Sequence, residues 1–225
     1  MTDSPRVFRP ARFLEAGRSK GTAELGGVLV HGRYRTPEEM VSLASRLNLN
    51  NIRWIAPAGG HNGSWYPGVL ADPISANEPA LTQAIELLDE VVEKVSEDGR
   101  LGPNQLVMMG FSQGACLTIE YALRHPGRCR RLIAFTGGLF GQPGTQWFGR
   151  PNMLAGTHVF LTGSDVDEWI PEVRAHETAR VLRELGASVD LRICHGRPHI
   201  VSDEELSEAG EFIKKAQAVK PAPSV

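Results

Sequence analysis

The sequence predicts an α/β fold: a single domain with a mostly parallel central sheet, flanked by helices on both faces. Short apolar segments alternate with longer amphipathic ones along the chain, as is typical of parallel strands joined by helical crossovers. Residues 106–109 are all apolar, as expected of a central strand covered on both faces. The 225 residues, 41% of them hydrophobic, are predicted to form one domain over 1–225, with short flexible tails at about 1–5 and 217–225.

Six strands are predicted from short apolar runs bounded by Gly, Pro or polar residues. They cover residues 27–31, 52–56, 106–109, 131–135, 158–161 and 189–194.

The helices are predicted from start signals and from apolar spacings of three and four. Thr36 and Pro37, with Glu39 three residues after the threonine, form a helix start. Residues 81–95 carry a continuous apolar stripe. Further helices are predicted over 114–123, 171–185 and 203–215. The inward face of the 171–185 helix is expected to carry Val173, Val181, Leu182 and Leu185.

Composition and charge exclude several classes of protein. The 24 basic and 26 acidic residues give a net charge of -2, which argues against a nucleic-acid-binding protein. No apolar run approaches the ~18 residues of a membrane span. The first residues carry prolines and charges where a signal peptide would be apolar. Three widely spaced cysteines without a C-x-x-C pair indicate free thiols, and we expect a cytoplasmic location.

Two loops, residues 57–78 and 137–156, are longer than is usual in compact domains, and such loops are commonly functional. The first contains Trp65 and Tyr66, which we expect to form part of a substrate pocket wall. The second contains Trp147 and Phe148. Packing of both loops over the sheet edge remains the alternative.

Residues 110–114 contain the pattern G-x-S-x-G, with Ser112 at its centre. The pattern alone is weak, but here it follows a predicted central strand and precedes a predicted helix, as a nucleophile elbow requires. The turn is so tight that positions 110 and 114 must lack side chains, and both are glycine. The sequence therefore predicts that Ser112 is a nucleophile.

A serine nucleophile needs an imidazole base, which follows the serine and the acid in the chain order of this fold. His195 and His199 both come after the last predicted strand, and His199 lies directly before the final helix, which favours His199. A metal site formed by His195 and His199 is the alternative interpretation. Gly196 and Pro198 argue against it, because they prevent the helix that would align the two histidines. We therefore predict no metal and no cofactor.

The acid that orients the base is expected after the strand at 158–161. Asp165 and Asp167 both lie there, and strand alternation cannot separate them because they share parity. A calcium loop also begins Asp-x-Asp, but its glycine and distal glutamate are missing here. Residue patterns alone leave the two aspartates as alternatives.

An oxyanion hole requires two backbone N–H donors. One is expected from Gln113, which follows the nucleophile at a helix start. The other is expected from Arg33, because residues 30–33 run from a strand into His-Gly. His31 is then expected to be structural.

The sequence resembles the phospholipase/carboxylesterase family of α/β-hydrolases, which includes bacterial carboxylesterases and acyl-protein thioesterases. The resemblance covers nearly the whole chain and is carried by residues 29–32, 65–66, 110–114, 167–171 and 199. It implies a triad of Ser112, Asp167 and His199, with Arg33 and Gln113 as oxyanion donors.

Two departures from the family pattern bear on the substrate. The family often has His-Gly-Leu-Gly, whereas this chain has Arg33 and Tyr34 after the His-Gly pair. Pro67 follows the aromatic pair, where thioesterase members tend to have an acidic residue. Both departures argue against long-chain acyl-protein thioesterase activity.

The sequence thus predicts a serine esterase that cleaves small-molecule carboxylic esters through an acyl-enzyme. A lysophospholipase or thioesterase using the same site is the nearest alternative. A catalytically silent hydrolase-fold protein that binds a small ligand belongs to a different class, and the complete set of triad candidates argues against it. The sequence leaves a homodimer open.

Overall fold

The computed structural model describes residues 13–97, 99–142, 144–147 and 149–218. The predicted tail at 1–5, most of the tail at 217–225 and Phe148 lie outside these residues. The strands are β1 (Phe13–Gly17), β2 (Leu25–Val30), β3 (Ile52–Pro57), β4 (Leu106–Phe111), β5 (Arg131–Phe135), β6 (His158–Gly163) and β7 (Ser188–Ile193). The helices are α1 (Pro37–Ser45), α2 (Ala80–Val95), α3 (Gln113–Arg124), α4 (Glu172–Glu184) and α5 (Asp203–Ala218).

The seven strands of the described residues form one sheet in the order β1-β3-β2-β4-β5-β6-β7, in which only β1 is antiparallel to its neighbour. The six predicted strands and the predicted fold class are confirmed. The strand β4 occupies the middle of the sheet, and all six of its residues are buried. The carboxyl ends of β2, β4 and β5 therefore meet at one edge, where ligands bind in open α/β sheets.

Helices cover both faces of the sheet. Side chains of α2, α3 and α4 belong to one apolar cluster, whereas those of α1 and α5 belong to a second cluster on the opposite face. The predicted start of α1 is confirmed, because the Thr36 hydroxyl accepts from the Glu39 N–H at 3.3 Å. Because both faces are covered, the strands are buried and apolar throughout the centre of the sheet.

The inward position predicted for Val173 is wrong, since this side chain is 62% exposed. The buried face of α4 includes Ala175, Thr178, Ala179 and Leu182 at helical spacing. Val173 lies two residues before the first of these, and two residues correspond to about 200° around a helix. It therefore faces solvent in the first turn.

The strand β1 was not predicted because its residues are only partly buried and include Glu15. Its pairing with β3 is stabilised by an ion pair in which Arg53 Nη2 lies 2.8 Å from Glu15 Oε2. Among the described residues, no helix is both long enough and apolar enough to cross a membrane.

Candidate active site

Ser112 lies in the sharp turn between β4 and α3. Its backbone has φ 54° and ψ -118°, a conformation that costs energy for a residue with a side chain. A Cβ at Gly110 would lie 2.3 Å from the Gly114 oxygen, and one at Gly114 would lie 2.1 Å from the Val30 oxygen. Only glycine therefore fits at both positions, and the turn presents the Ser112 hydroxyl at the carboxyl edge of the sheet.

The structure brings Ser112, His199 and Asp167 together from three separate loops. The Ser112 Oγ lies 2.8 Å from His199 Nε2, and His199 Nδ1 lies 2.8 Å from Asp167 Oδ2. The side chain of Asp167 is fully buried, and that of His199 is 18% exposed. Hydroxyl, imidazole and carboxylate thus form one continuous hydrogen-bonded chain that opens to a cavity at the serine.

Backbone hydrogen bonds fix the Asp167 carboxylate. Its Oδ1 accepts from the N–H groups of Trp169 and Ile170, each at 2.9 Å. These donors replace hydrogen bonds to water that the carboxylate loses on burial, and they hold it in position beside the imidazole.

Asp165 pairs with the other histidine. Its Oδ2 lies 3.0 Å from His195 Nδ1, and its Oδ1 accepts from the Gly196 N–H at 2.8 Å. The Gly196 N–H and then His195 hold the pKa of this carboxyl below its usual value. His195 has an 80% exposed side chain, so this pair lies at the surface. Of these two Asp–His pairs, the one formed by Asp167 and His199 reaches Ser112.

Arg33 and Gln113 line the same cavity as Ser112, and the backbone N–H of each is not bound to a backbone carbonyl among the described residues. Gln113 begins α3, so its N–H has no acceptor within the helix. The N–H groups of Tyr34 and Arg35 are bound to the Gly63 and Gly32 oxygens, whereas no backbone carbonyl among the described residues accepts from Arg33 N–H. Arg33 and Gln113 thus have the N–H groups that could bind a substrate oxygen.

Buried His31 is held by backbone groups on both ring nitrogens. Nε2 accepts from the Gly59 N–H at 2.7 Å, so Nδ1 carries the proton and donates to the Gly32 oxygen at 2.7 Å. Burial lowers the pKa of His31, which favours the neutral ring. Its contacts support the structural role predicted for it.

A cavity of about 420 Å³ lies over Ser112. Its wall is formed by Gly32, Arg33, Tyr34, Arg35, Tyr66, Gly68, Val69, Leu70, Phe111, Gln113, Cys116, Trp169, Ile170 and His199. Tyr66 lies in this wall. Trp65 does not line it: the side chain is buried, and its Nε1 donates to the His31 oxygen at 2.8 Å. The indole therefore supports the loop that carries Arg33.

The side chain of Gln113 joins the elbow to the first long loop, a role that the sequence did not indicate. Its Nε2 donates to the Tyr66 oxygen at 2.8 Å, and its Oε1 accepts from the Trp65 N–H at 3.0 Å. The Tyr66 hydroxyl in turn donates to the main-chain carbonyl oxygen of Gln113 at 3.1 Å. These bonds fix the Tyr66 side of the cavity against the start of α3.

A buried ion pair supports the loop of His199, and the sequence did not indicate this role either. Arg197 Nη1 donates to the Pro198 and Ile200 oxygens at 2.7 and 2.6 Å, on both sides of the histidine. Arg197 Nε lies 3.1 Å from Glu205 Oε2, and both side chains are less than a tenth exposed. An arginine in a polar loop ordinarily predicts a solvated surface, so only the tertiary structure reveals this role.

Among the described residues, no three His, Cys, Asp or Glu side chains are grouped so that they could hold a metal ion. Cys116, in the cavity wall, is a free thiol whose pKa burial raises to about 11. It therefore stays protonated at neutral pH and is a poor nucleophile.

Comparisons with known proteins identify the family of this chain. A model of the family described as phospholipase/carboxylesterase matches residues 15–217. Acyl-protein thioesterase 1 of Eremothecium gossypii is 28% identical over 66% of this chain and 63% of its own length. Esterase YpfH of Escherichia coli is 25% identical over 70% of this chain and 65% of its own length. The aligned part thus spans slightly less than two thirds of either relative.

Among solved structures, the phospholipase/carboxylesterase from Dyadobacter fermentans superimposes with a TM-score of 0.82 at 34% identity. The superposition covers 90% of this chain and 96% of that one. The match of the family model to nearly the whole chain, on a sheet of this topology, assigns the family. The protein belongs to the phospholipase/carboxylesterase family.

Proposed function

We propose that the protein is a serine carboxylesterase in which Ser112 is the nucleophile, His199 the general base and Asp167 the orienting acid. The observation that carries the proposal is the unbroken hydrogen-bonded chain from Ser112 Oγ through His199 to Asp167. A hydroxyl is a weak nucleophile at neutral pH and needs such an adjacent base.

In the first step, Ser112 Oγ attacks the carbonyl carbon of the ester, and its proton moves to His199 Nε2. The carbonyl electron pair becomes an oxyanion, which accepts hydrogen bonds from the N–H groups of Arg33 and Gln113. When the C–O bond breaks, His199 gives its proton to the departing alcohol. Ser112 is left carrying the acyl group as an ester.

In the second step, water replaces the alcohol. His199 takes a proton from water as the water oxygen attacks the acyl carbon. When the second oxyanion collapses, the bond between the acyl carbon and Ser112 Oγ breaks, His199 returns its proton to Ser112 Oγ, and the carboxylic acid is released. Asp167 accepts the Nδ1–H bond throughout and stabilises the imidazolium that forms twice. The cycle uses no cofactor.

The proposed substrate is a small-molecule ester, and the volume of the cavity supports a short or medium acyl chain. At about 420 Å³ the cavity lies near the lower end of the range for ligand pockets. The free cysteines support a reducing compartment, and we propose that the enzyme acts in the cytoplasm.

Hydrolysis of p-nitrophenyl esters of increasing acyl length tests this substrate class. We expect kcat/KM to be highest between butyryl and octanoyl and to fall for palmitoyl, because a longer chain exceeds the cavity. An S-acyl thioester of the same chain length is the matched control for the thioesterase alternative, which the similarity to a thioesterase favours. A higher kcat/KM for palmitoyl than for butyryl and octanoyl esters would contradict the proposal.

A further inference from the structure

The wall of the catalytic cavity carries positive charge. Arg33 and Arg35 line it together with Ser112, and no Asp or Glu side chain does so within the described part of the chain. Most of the remaining wall is apolar or aromatic, including Tyr66, Val69 and Leu70. The two arginines therefore lie among few other polar side chains.

The guanidinium of Arg33 is held in place by neutral groups. Nη1 donates to the Pro67 oxygen at 2.8 Å, and Nη2 donates to the Gly68 oxygen. A guanidinium has five N–H bonds, so these contacts leave donors for a ligand. The two carbonyls orient the guanidinium but do not neutralise its charge.

No carboxylate in the described residues forms an ion pair with Arg33. The carboxylate of Asp72, in the turn that follows Gly68, accepts from the Val69 N–H at 2.8 Å. Arg35 differs, because its Nη1 lies 3.3 Å from Glu39 Oε1. Within the described part of the chain, Arg33 is thus a cation held by carbonyl groups and without an anionic partner, in the wall of the cavity that contains Ser112.

We infer that Arg33 forms an anion subsite, and that the substrate is an ester whose acyl or alcohol part carries a carboxylate or phosphate. The inference rests on the proposed function and deepens it by naming the substrate class. A planar guanidinium binds carboxylate and phosphate oxygens through two parallel N–H bonds. Such bonds are stronger in a cavity partly shielded from water than at an open surface.

Two pairs of esters distinguish a negative charge on the acyl part of the substrate from one on the alcohol part. Mono-p-nitrophenyl adipate is compared with p-nitrophenyl hexanoate, which has the same number of acyl carbons. Butyrate esters of p-nitrophenol and of m-carboxy-p-nitrophenol place the carboxylate on the alcohol instead. We expect wild-type enzyme to favour the anionic member of at least one pair. The pair that shows this preference identifies whether the acyl part or the alcohol part of the substrate carries the charge.

Arg33→Met should lower that preference, measured as the anionic-to-neutral ratio of kcat/KM, by roughly tenfold or more. Arg33→Lys keeps the charge and should restore part of the ratio. Arg35→Met, which removes a cation already paired with Glu39, should change the ratio much less. Raising the salt concentration should lower the wild-type ratio as well, which keeps the test valid even if Arg33→Met does not fold.

A ratio that stays the same in Arg33→Met, with both esters slowed equally, would overturn the subsite and leave Arg33 as a support for the 67–68 turn. A wild-type enzyme with no preference for either anionic ester would overturn it too. Failure of the proposed function is distinguishable, because folded wild-type protein would then cleave neither the neutral nor the anionic esters.

Discussion

Replacing Asp167 by asparagine should lower kcat on the order of 10⁴-fold, as the corresponding change does in the serine proteases that define the triad. The carboxylate accepts the Nδ1–H bond of His199 at 2.8 Å and so leaves Nε2 free to take the serine proton. An asparagine amide can donate to Nδ1 instead, which would place the imidazole proton on Nε2. Steady-state hydrolysis of p-nitrophenyl butyrate measures the effect.

Asp165→Asn is the matched control, because the second aspartate binds His195 and the Gly196 N–H in the same region. We expect this variant to keep kcat within about threefold of wild type and to have a lower Tm at neutral pH. The pKa of Asp165 is lowered in the folded protein, so its contribution to stability is present above the unfolded pKa of about 3.9 and is lost as the pH falls through the folded value. The difference in Tm from wild type should therefore shrink in acid. An inactive Asp165→Asn beside an active Asp167→Asn would move the acid to Asp165.

Replacing His199 by alanine should lower kcat on the order of 10³-fold or more, because no other base among the described residues contacts Ser112 Oγ. His195→Ala should change kcat far less, since that ring pairs with Asp165 at the surface and is 80% exposed. The same ester assay compares the two variants, with thermal unfolding to show that both are folded. Loss of activity in His195→Ala alone would mean that the base is misassigned.

The elbow could be predicted from the sequence because its geometry depends on residue type. Gly110 and Gly114 are required by contacts with backbone atoms, and no side-chain packing could accommodate a Cβ at either position. The order of strand, serine and helix is local in the chain. Local patterns of this kind are predictable without knowledge of the tertiary structure.

The choice between Asp165 and Asp167 was not predictable from residue patterns, because both lie past the end of β6 and share parity. The direction of each carboxylate is set by N–H groups that the turn brings to it, those of Trp169 and Ile170 for Asp167. Only the resemblance to a family favoured Asp167 at the sequence level.

Trp65 and the pair of Arg197 and Glu205 show a different limit. The sequence predicts Trp65 in the pocket wall, and charged residues such as Arg197 and Glu205 are ordinarily exposed. All three side chains are buried in the structure with polar partners. The Trp65 indole donates to the His31 oxygen, and the Arg197 guanidinium contacts two carbonyls and the Glu205 carboxylate. Their partners lie far away in the chain or depend on the loop conformation, so composition and spacing do not reveal them.

The central claim is that Ser112 is the activated nucleophile, and labelling with a fluorophosphonate tests it most directly. Only a serine with an adjacent base attacks phosphorus readily at neutral pH. Intact-mass measurement should show one adduct on wild-type protein, peptide mapping should place it on Ser112, and folded Ser112→Ala should gain no adduct. An adduct that persists in Ser112→Ala, or that maps to another residue in wild-type protein, would contradict the account.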